Sequence, residues 1–276
     1  MRQFRLKNAL GLEYDLNDTR HLFYSPNGLG QKHDVEYENI GYRYEKTEDV
    51  LEQKQIKGRM RFSDYEEYHQ FALFIQHKPL VLEYTSFGTY YMDVSIDQMD
   101  KEELGKLGLT PTIRINGLSS WYKVLKVENT PGMSGKVYPY NYPYVYSDFS
   151  AGEIRLQSDS TIESPCRIHL MGPCTNPSWS HYLNGSRMMT GKIGTADNPC
   201  IVEAGKRIII DNTGAVYSIK EYDTDGKVIR NLYALSDFST RRFVTLGYGE
   251  NRILYQHEGT NEMKAIVEGR IIYAGI

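Results

Sequence analysis

SDYEEYHQFALFIQHKP, residues 63–79, is the one stretch of this 276-residue chain with the periodicity of a helix. Tyr65, Tyr68, Phe71, Ala72 and Ile75 recur at three and four residues, which makes a single apolar stripe. Ser63 with Glu66 three residues on forms a capping-box pattern. Asp64 and Glu67 suit the positive end of the helix dipole, and Pro79 closes the segment. A helix over 64–77 is therefore predicted. His69 and His77 fall off the stripe and belong to a solvated face rather than to a ligand set.

Outward from the helix the period changes to two. Ile56, Met60 and Phe62 interleave with Lys57, Arg59 and Arg61, so three cations line one face of the strand that enters the helix. After the helix, Leu80, Leu82 and Tyr84 alternate. Val94 and Ile96 are then flanked by Asp93, Ser95 and Asp97, an acidic face. Ile113 with Ile115, and the run from Trp121 to Val127, extend the sheet. The first half thus reads as mostly β with one docked helix. The cationic face admits two readings: a solvated surface with modest pairing inside the chain, or a subunit contact matched to Asp93 and Asp97.

YPYNYPYVY, Tyr138 to Tyr146, separates the halves. Proline fixes its own φ and pushes the preceding residue toward extended geometry. Tyr138, Tyr140, Tyr142, Tyr144 and Tyr146 then share one side of an extended path, as a linker packed on one domain or as an aromatic rail gripping a neighbouring subunit. The boundary is set here, giving domains 1–137 and 138–276. Beyond it, Ile154/Leu156, Ile168/Leu170, Ile208/Ile210, Tyr217/Ile219, Val244/Leu246 and Ala265/Val267 mark short strands. Asn184-Gly185 and Asp225-Gly226 make good hairpin turns. Many short strands without a convincing helix predict a β-sandwich or jelly roll.

Charge excludes more than it assigns. Residues 1–137 hold 18 Lys+Arg against 20 Asp+Glu, and the remainder 14 against 15, so neither half has the basic excess of a nucleic-acid binder. No signal peptide and no apolar run of membrane-spanning length is evident, so no membrane role is expected. Cys166, Cys174 and Cys200 lack metal-ligand spacing and read as reduced, structural thiols of a cytosolically made protein. Gly132-Met133-Ser134-Gly135 is not a nucleophile elbow, and neither glycine pair (Gly28 and Gly30, Gly247 and Gly249) completes a dinucleotide fingerprint. No cofactor, metal or catalytic constellation is expected. Abundant carboxylates leave a glycoside-cleaving enzyme as a weak rival. Trp179 and Tyr182, near His181, Asn184 and Arg187, give a second rival: a carbohydrate-binding module recognising host cell-wall glycan. Yet HYLNGSR breaks the galectin spacing, and a turn-rich hairpin with one buried Trp is the plainer reading.

In order and spacing, several segments together resemble the distal tail proteins (Dit) of siphophages of Gram-positive hosts. They are the Tyr65/Tyr68/Phe71/Phe74/Ile75 helix, LVLEY after it, the acidic segment 97–103, Trp121-Tyr122, and the tyrosine-proline junction. In the second half they are GPCTNP (172–177), RIIID (207–211), NLYALSDFSTRRF (231–243) and GYGENRI (247–253). The resemblance implies a mainly β protein with an N-terminal belt domain and a C-terminal galectin-like sandwich. It implies a non-enzymatic virion tail-tip hub, assembled in the bacterial cytoplasm as a hexameric ring. The implied partners are the major tail tube protein, tape-measure or tail-associated proteins, and receptor-binding or baseplate proteins.

Overall fold

The computed structural model describes residues 2–100, 103, 108–129, 149–238, 241–259 and 261–276. They form two compact units, Met1–Lys123 with Ile272–Ile276, and Val124–Ile271. The first unit thus ends at Lys123 and includes the last five residues, and the proposed boundary at 137/138 lies outside the described residues. Among the described residues no helix is long and apolar enough to cross a membrane.

The first unit contains β1 (Gln3–Lys7), β2 (Glu13–Asp15), β3 (His21–Asn27), β4 (His33–Asn39), β5 (Tyr44–Leu51), β6 (Gln55–Phe62), α1 (Tyr65–Phe74), β7 (Leu80–Thr85), β8 (Thr89–Met99), β9 (Thr112–Gly117) and the start of β10 (Trp121–Glu128). Antiparallel pairing runs in the order β2-β1-β7-β8-β9-β6-β3, and among the described residues β4 pairs with β5 alone. Each main strand buries alternate residues: Phe4 and Leu6, Ile56, Met60 and Phe62, Leu80, Leu82 and Tyr84, Val94 and Ile96, Ile113 and Ile115. That alternation is what a sheet with one face on a core demands. The sheet curls enough for Phe4 to meet Phe23 edge to face, with ring centroids 5.4 Å apart.

The helix is where the stripe places it, but shorter and capped one residue later than the capping-box pattern suggests. Asp64, extended at φ −155°, accepts a hydrogen bond from the Glu67 amide at 2.9 Å, and Ser63 donates its hydroxyl to Asp64. Phe71, Phe74 and Ile75 are buried, whereas Tyr65 is exposed. The C-terminal residues dock on this unit. Tyr273 is buried with its ring perpendicular to Tyr90, and the Lys123 ammonium lies 4.9 Å from both ring centroids.

The second unit holds β11 (Phe149–Ser158), β12 (Ser164–Met171), β13 (Cys174–Thr175), β14 (Ser178–Leu183), β15 (Ser186–Ile193), β16 (Ile201–Val202), β17 (Arg207–Asp211), β18 (Ser218–Tyr222), β19 (Val228–Asn231), β20 (Ser236–Phe238), β21 (Thr245–Leu246), β22 (Gly249–Glu258) and most of β23 (Lys264–Tyr273). Two antiparallel sheets, β19-β18-β17-β12-β23 and β11-β22-β14-β15-β20, form a β-sandwich. Both predicted hairpin turns are present. Asn184 and Gly185 take φ of 49° and 83° between β14 and β15, and Gly226 takes 80° between β18 and β19. One row crosses four strands: Gly152 opposes Tyr255, Tyr255 opposes Trp179, and Trp179 opposes Gly191. The glycines leave room for the large rings to lie across them. All three cysteines are free and buried, and burial pushes the thiols of Cys166 and Cys174 up to about 12. Inert packing residues behave this way.

Candidate assembly surface

The cationic row on β6 exists as the alternation requires. Lys57, Arg59 and Arg61 are exposed, while Ile56, Met60 and Phe62 point inward. Gly58, the remaining inward position, lies under the Phe23 ring, where a Cβ would come within 2.5 Å of it. In register, Lys57 stands opposite Arg114 on β9, so the basic surface is wider than β6 alone. Among the described residues neither Lys57 nor Arg59 makes an ion pair.

The acidic residues expected to match this row inside the chain do not meet it. β9 lies between β6 and β8, so Asp93 and Asp97 are two strand steps from Lys57, Arg59 and Arg61. Each step is roughly 4.8 Å. Asp93 is engaged elsewhere. Its carboxylate accepts from the Tyr122 hydroxyl at 2.9 Å, and its amide donates to Ser119 Oγ at 3.0 Å. Asp97 sits at a register shift between Ile96 and Gln98. Cross-strand pairing within the sheet is corrected accordingly.

The sequence patterning missed the hairpin formed by β4 and β5. Its residues are almost all exposed, and β4 pairs from His33↔Leu51 to Asn39↔Tyr44. Tyr37, Tyr42, Tyr44 and Val50 each show half or more of their surface to solvent. An isolated two-stranded ribbon is marginally stable in water. A signal was present: Asp34, Glu36 and Glu38 alternate with Val35 and Tyr37 at a strand's period. At the hairpin's root lies a cleft of about 640 Å³, lined by polar groups that include Asn27, Gln31, Lys32 and Lys54. Lys54 is buried, donates to the carbonyls of Gly30 and Ala274, and has its pKa lowered by burial.

Trp179 is not a sugar platform. It is 1% exposed, lies against Gly191, and meets Phe238 edge to face. Tyr182 carries the Arg252 guanidinium 5.4 Å from its ring centroid. The glycan-binding alternative therefore loses Trp179 as a stacking residue. Tyr138, Tyr140, Tyr142, Tyr144 and Tyr146 lie outside the described residues. Among the described residues no cluster of three His, Cys, Asp or Glu side chains suits a metal ion.

No curated protein matches the chain. Residues 3–117 match the family described as "Distal tail protein, N-terminal domain". The fold is similar to that of the phage SPP1 Dit protein, which is described as a paradigm of hub adsorption apparatus in Gram-positive infecting phages. The match covers 98% of this chain and 99% of that one, at a TM-score of 0.64 and 9% identity. It is also similar to a chain of the phage P2 baseplate in its activated conformation. With calcium the match covers 94% of this chain and 99% of that chain, at a TM-score of 0.52 and 15% identity. At such identities the solved structures show a likeness of fold, and the family likeness is that of residues 3–117. Over residues 3–117 the chain is thus similar to the N-terminal domain of distal tail proteins.

Proposed function

We propose that this protein is a non-enzymatic hub of a phage or prophage tail tip, six copies of which close a ring through their first units. The ring would join the tail tube, with its tape-measure or tail-associated proteins, to baseplate or receptor-binding proteins. It would be assembled in the host cytoplasm and reside at the virion tail tip. The observation that carries this reading is the β4–β5 hairpin: a paired, exposed ribbon that its own unit leaves almost uncovered, in a domain similar to that of distal tail proteins. A contact between two different patches of the same chain makes a ring when its rotation closes. The hub role named for the SPP1 protein supports the same assignment. Tyr138 to Tyr146 remains proposed as a further contact with a neighbouring subunit or partner. Negative-stain imaging with mass measurement tests the reading: rings with an open centre support it. Particles that stay monomeric at every concentration and salt, and that form no ring with tail partners, refute it.

A further inference from the structure

Charge on the β4–β5 hairpin is sorted by face. On one face, Asp34, Glu36 and Glu38 of β4 stand opposite Val50, Glu48 and Glu45 of β5. Two of these pairs, Glu36↔Glu48 and Glu38↔Glu45, set carboxylate directly against carboxylate, an arrangement that destabilises a strand pair. Among the described residues none of the side chains of Asp34, Glu36, Glu38, Glu45 and Glu48 makes a hydrogen bond or an ion pair. The other face satisfies itself: His33 Nδ1 lies 2.6 Å from Asp49, which also holds Lys46. A marginal ribbon therefore concentrates unpaired negative charge on one side only.

The β6–β9 surface presents the opposite arrangement. Lys57, Arg59 and Arg61 repeat every second residue, and Arg114 stands directly across from Lys57, like charge against like. Carboxylates on β4 and cations on β6 both step by two residues along a strand, roughly 6.7 Å per step, so the two rows agree in spacing as well as in sign. Only residues 52–54 separate β5 from β6, and among the described residues no ion pair joins Asp34, Glu36, Glu38, Glu45 or Glu48 to Lys57 or Arg59 within the chain. The occupant that fits is a second copy.

We propose that the acidic face of the β4–β5 hairpin in one copy docks on the cationic β6–β9 face of the next. This rests on the ring reading above and names the contact that closes the ring. It assigns the acidic side of that contact to Asp34, Glu36, Glu38, Glu45 and Glu48 in place of Asp93, whose carboxylate holds the Tyr122 hydroxyl, and Asp97. The contact is heterologous, as ring closure requires, and salt should weaken it.

Two charge-reversed variants test it. One carries Glu36→Lys with Glu38→Lys, and the other Lys57→Glu with Arg59→Glu. All four side chains are exposed, so both variants should keep the wild-type far-UV spectrum. Each alone should associate about tenfold or more weakly than wild type. Mixed together they should reassemble, because each hairpin then meets a face of opposite sign. Glu36→Gln with Glu38→Gln, which reverses no charge, should weaken assembly in the same direction and serves if a reversed variant fails to fold. Folded variants that each assemble like wild type, or a mixture that stays dissociated, would overturn this contact while leaving the ring intact. A wild-type protein that never assembles would instead remove the ring, and this contact with it.

Discussion

The ammonium of Lys54 donates to the carbonyl of Ala274 at 2.9 Å, joining residues 220 apart in sequence. The same nitrogen holds the carbonyl of Gly30, at the root of the hairpin. Lys54→Met should leave both carbonyls short of a donor and cost about 1–3 kcal/mol in urea unfolding. Burial lowers the pKa of Lys54 from 10.5. Between its folded value and 10.5 the unfolded chain binds more protons, so wild-type stability should rise with pH in that window. The variant should lack that rise. An unchanged alkaline profile would show that Lys54 does not report on the docked tail.

Helix capping separates two neighbours that look interchangeable. Asp64→Ala should destabilise the first unit by about 0.5–2 kcal/mol, because it frees the Glu67 amide. Ser63→Ala removes only a donor to Asp64 and should cost clearly less. Equal losses in thermal unfolding would return the cap to Ser63.

That off-by-one position shows what the sequence could and could not reveal. Ser63 and Asp64 are both good caps, and Glu66 and Glu67 both answer them, so spacing alone does not choose. Strands with one buried face, such as β6 and β7, were legible because apolar and polar residues alternate strictly. The hairpin was harder to see, because both of its faces are wet and the alternation of Val35 and Tyr37 with acids is too short to mark a buried face. Lys54, in QKQIKGR, looks like any surface lysine, and nothing local announces that Ala274 returns to bury it. Of the candidate site, the cations on β6 were legible as a row. Pairing of those cations with Asp93 and Asp97 inside one chain was not excluded by the sequence, which does not say that β9 lies between β6 and β8.

In the second unit, Gly191 should be intolerant for a reason visible only across strands. A Cβ there would fall within 2.6 Å of Trp179 Cε2. Gly191→Ala should cost about 1–3 kcal/mol by overpacking. Trp179→Leu should cost several kcal/mol alone, about 3–5 for so large a loss. Combined with Gly191→Ala, it should cost less than the sum. Strict additivity in a denaturant double-mutant cycle would contradict the packed row.

Acid sensitivity should begin with buried histidines. His181 is buried beside Asn251, its Nε2 3.1 Å from Oδ1, and burial lowers its pKa below 6.5. As pH falls from about 6.5 toward the folded value, the unfolded chain takes up the proton first and stability drops. His169, lowered mainly by burial, adds to the effect. His181→Gln should reduce, without abolishing, the loss of thermal midpoint between about pH 6.5 and 5. An identical pH dependence would exclude His181 as a contributor.

The most direct test of the hub is the mass of the purified particle in solution at low salt, by light scattering or native mass spectrometry. Six copies of the 31.8 kDa chain, seen as rings with an open centre, are the predicted result. A single 31.8 kDa species at every concentration and salt, with no ring even beside tail partners, would contradict it.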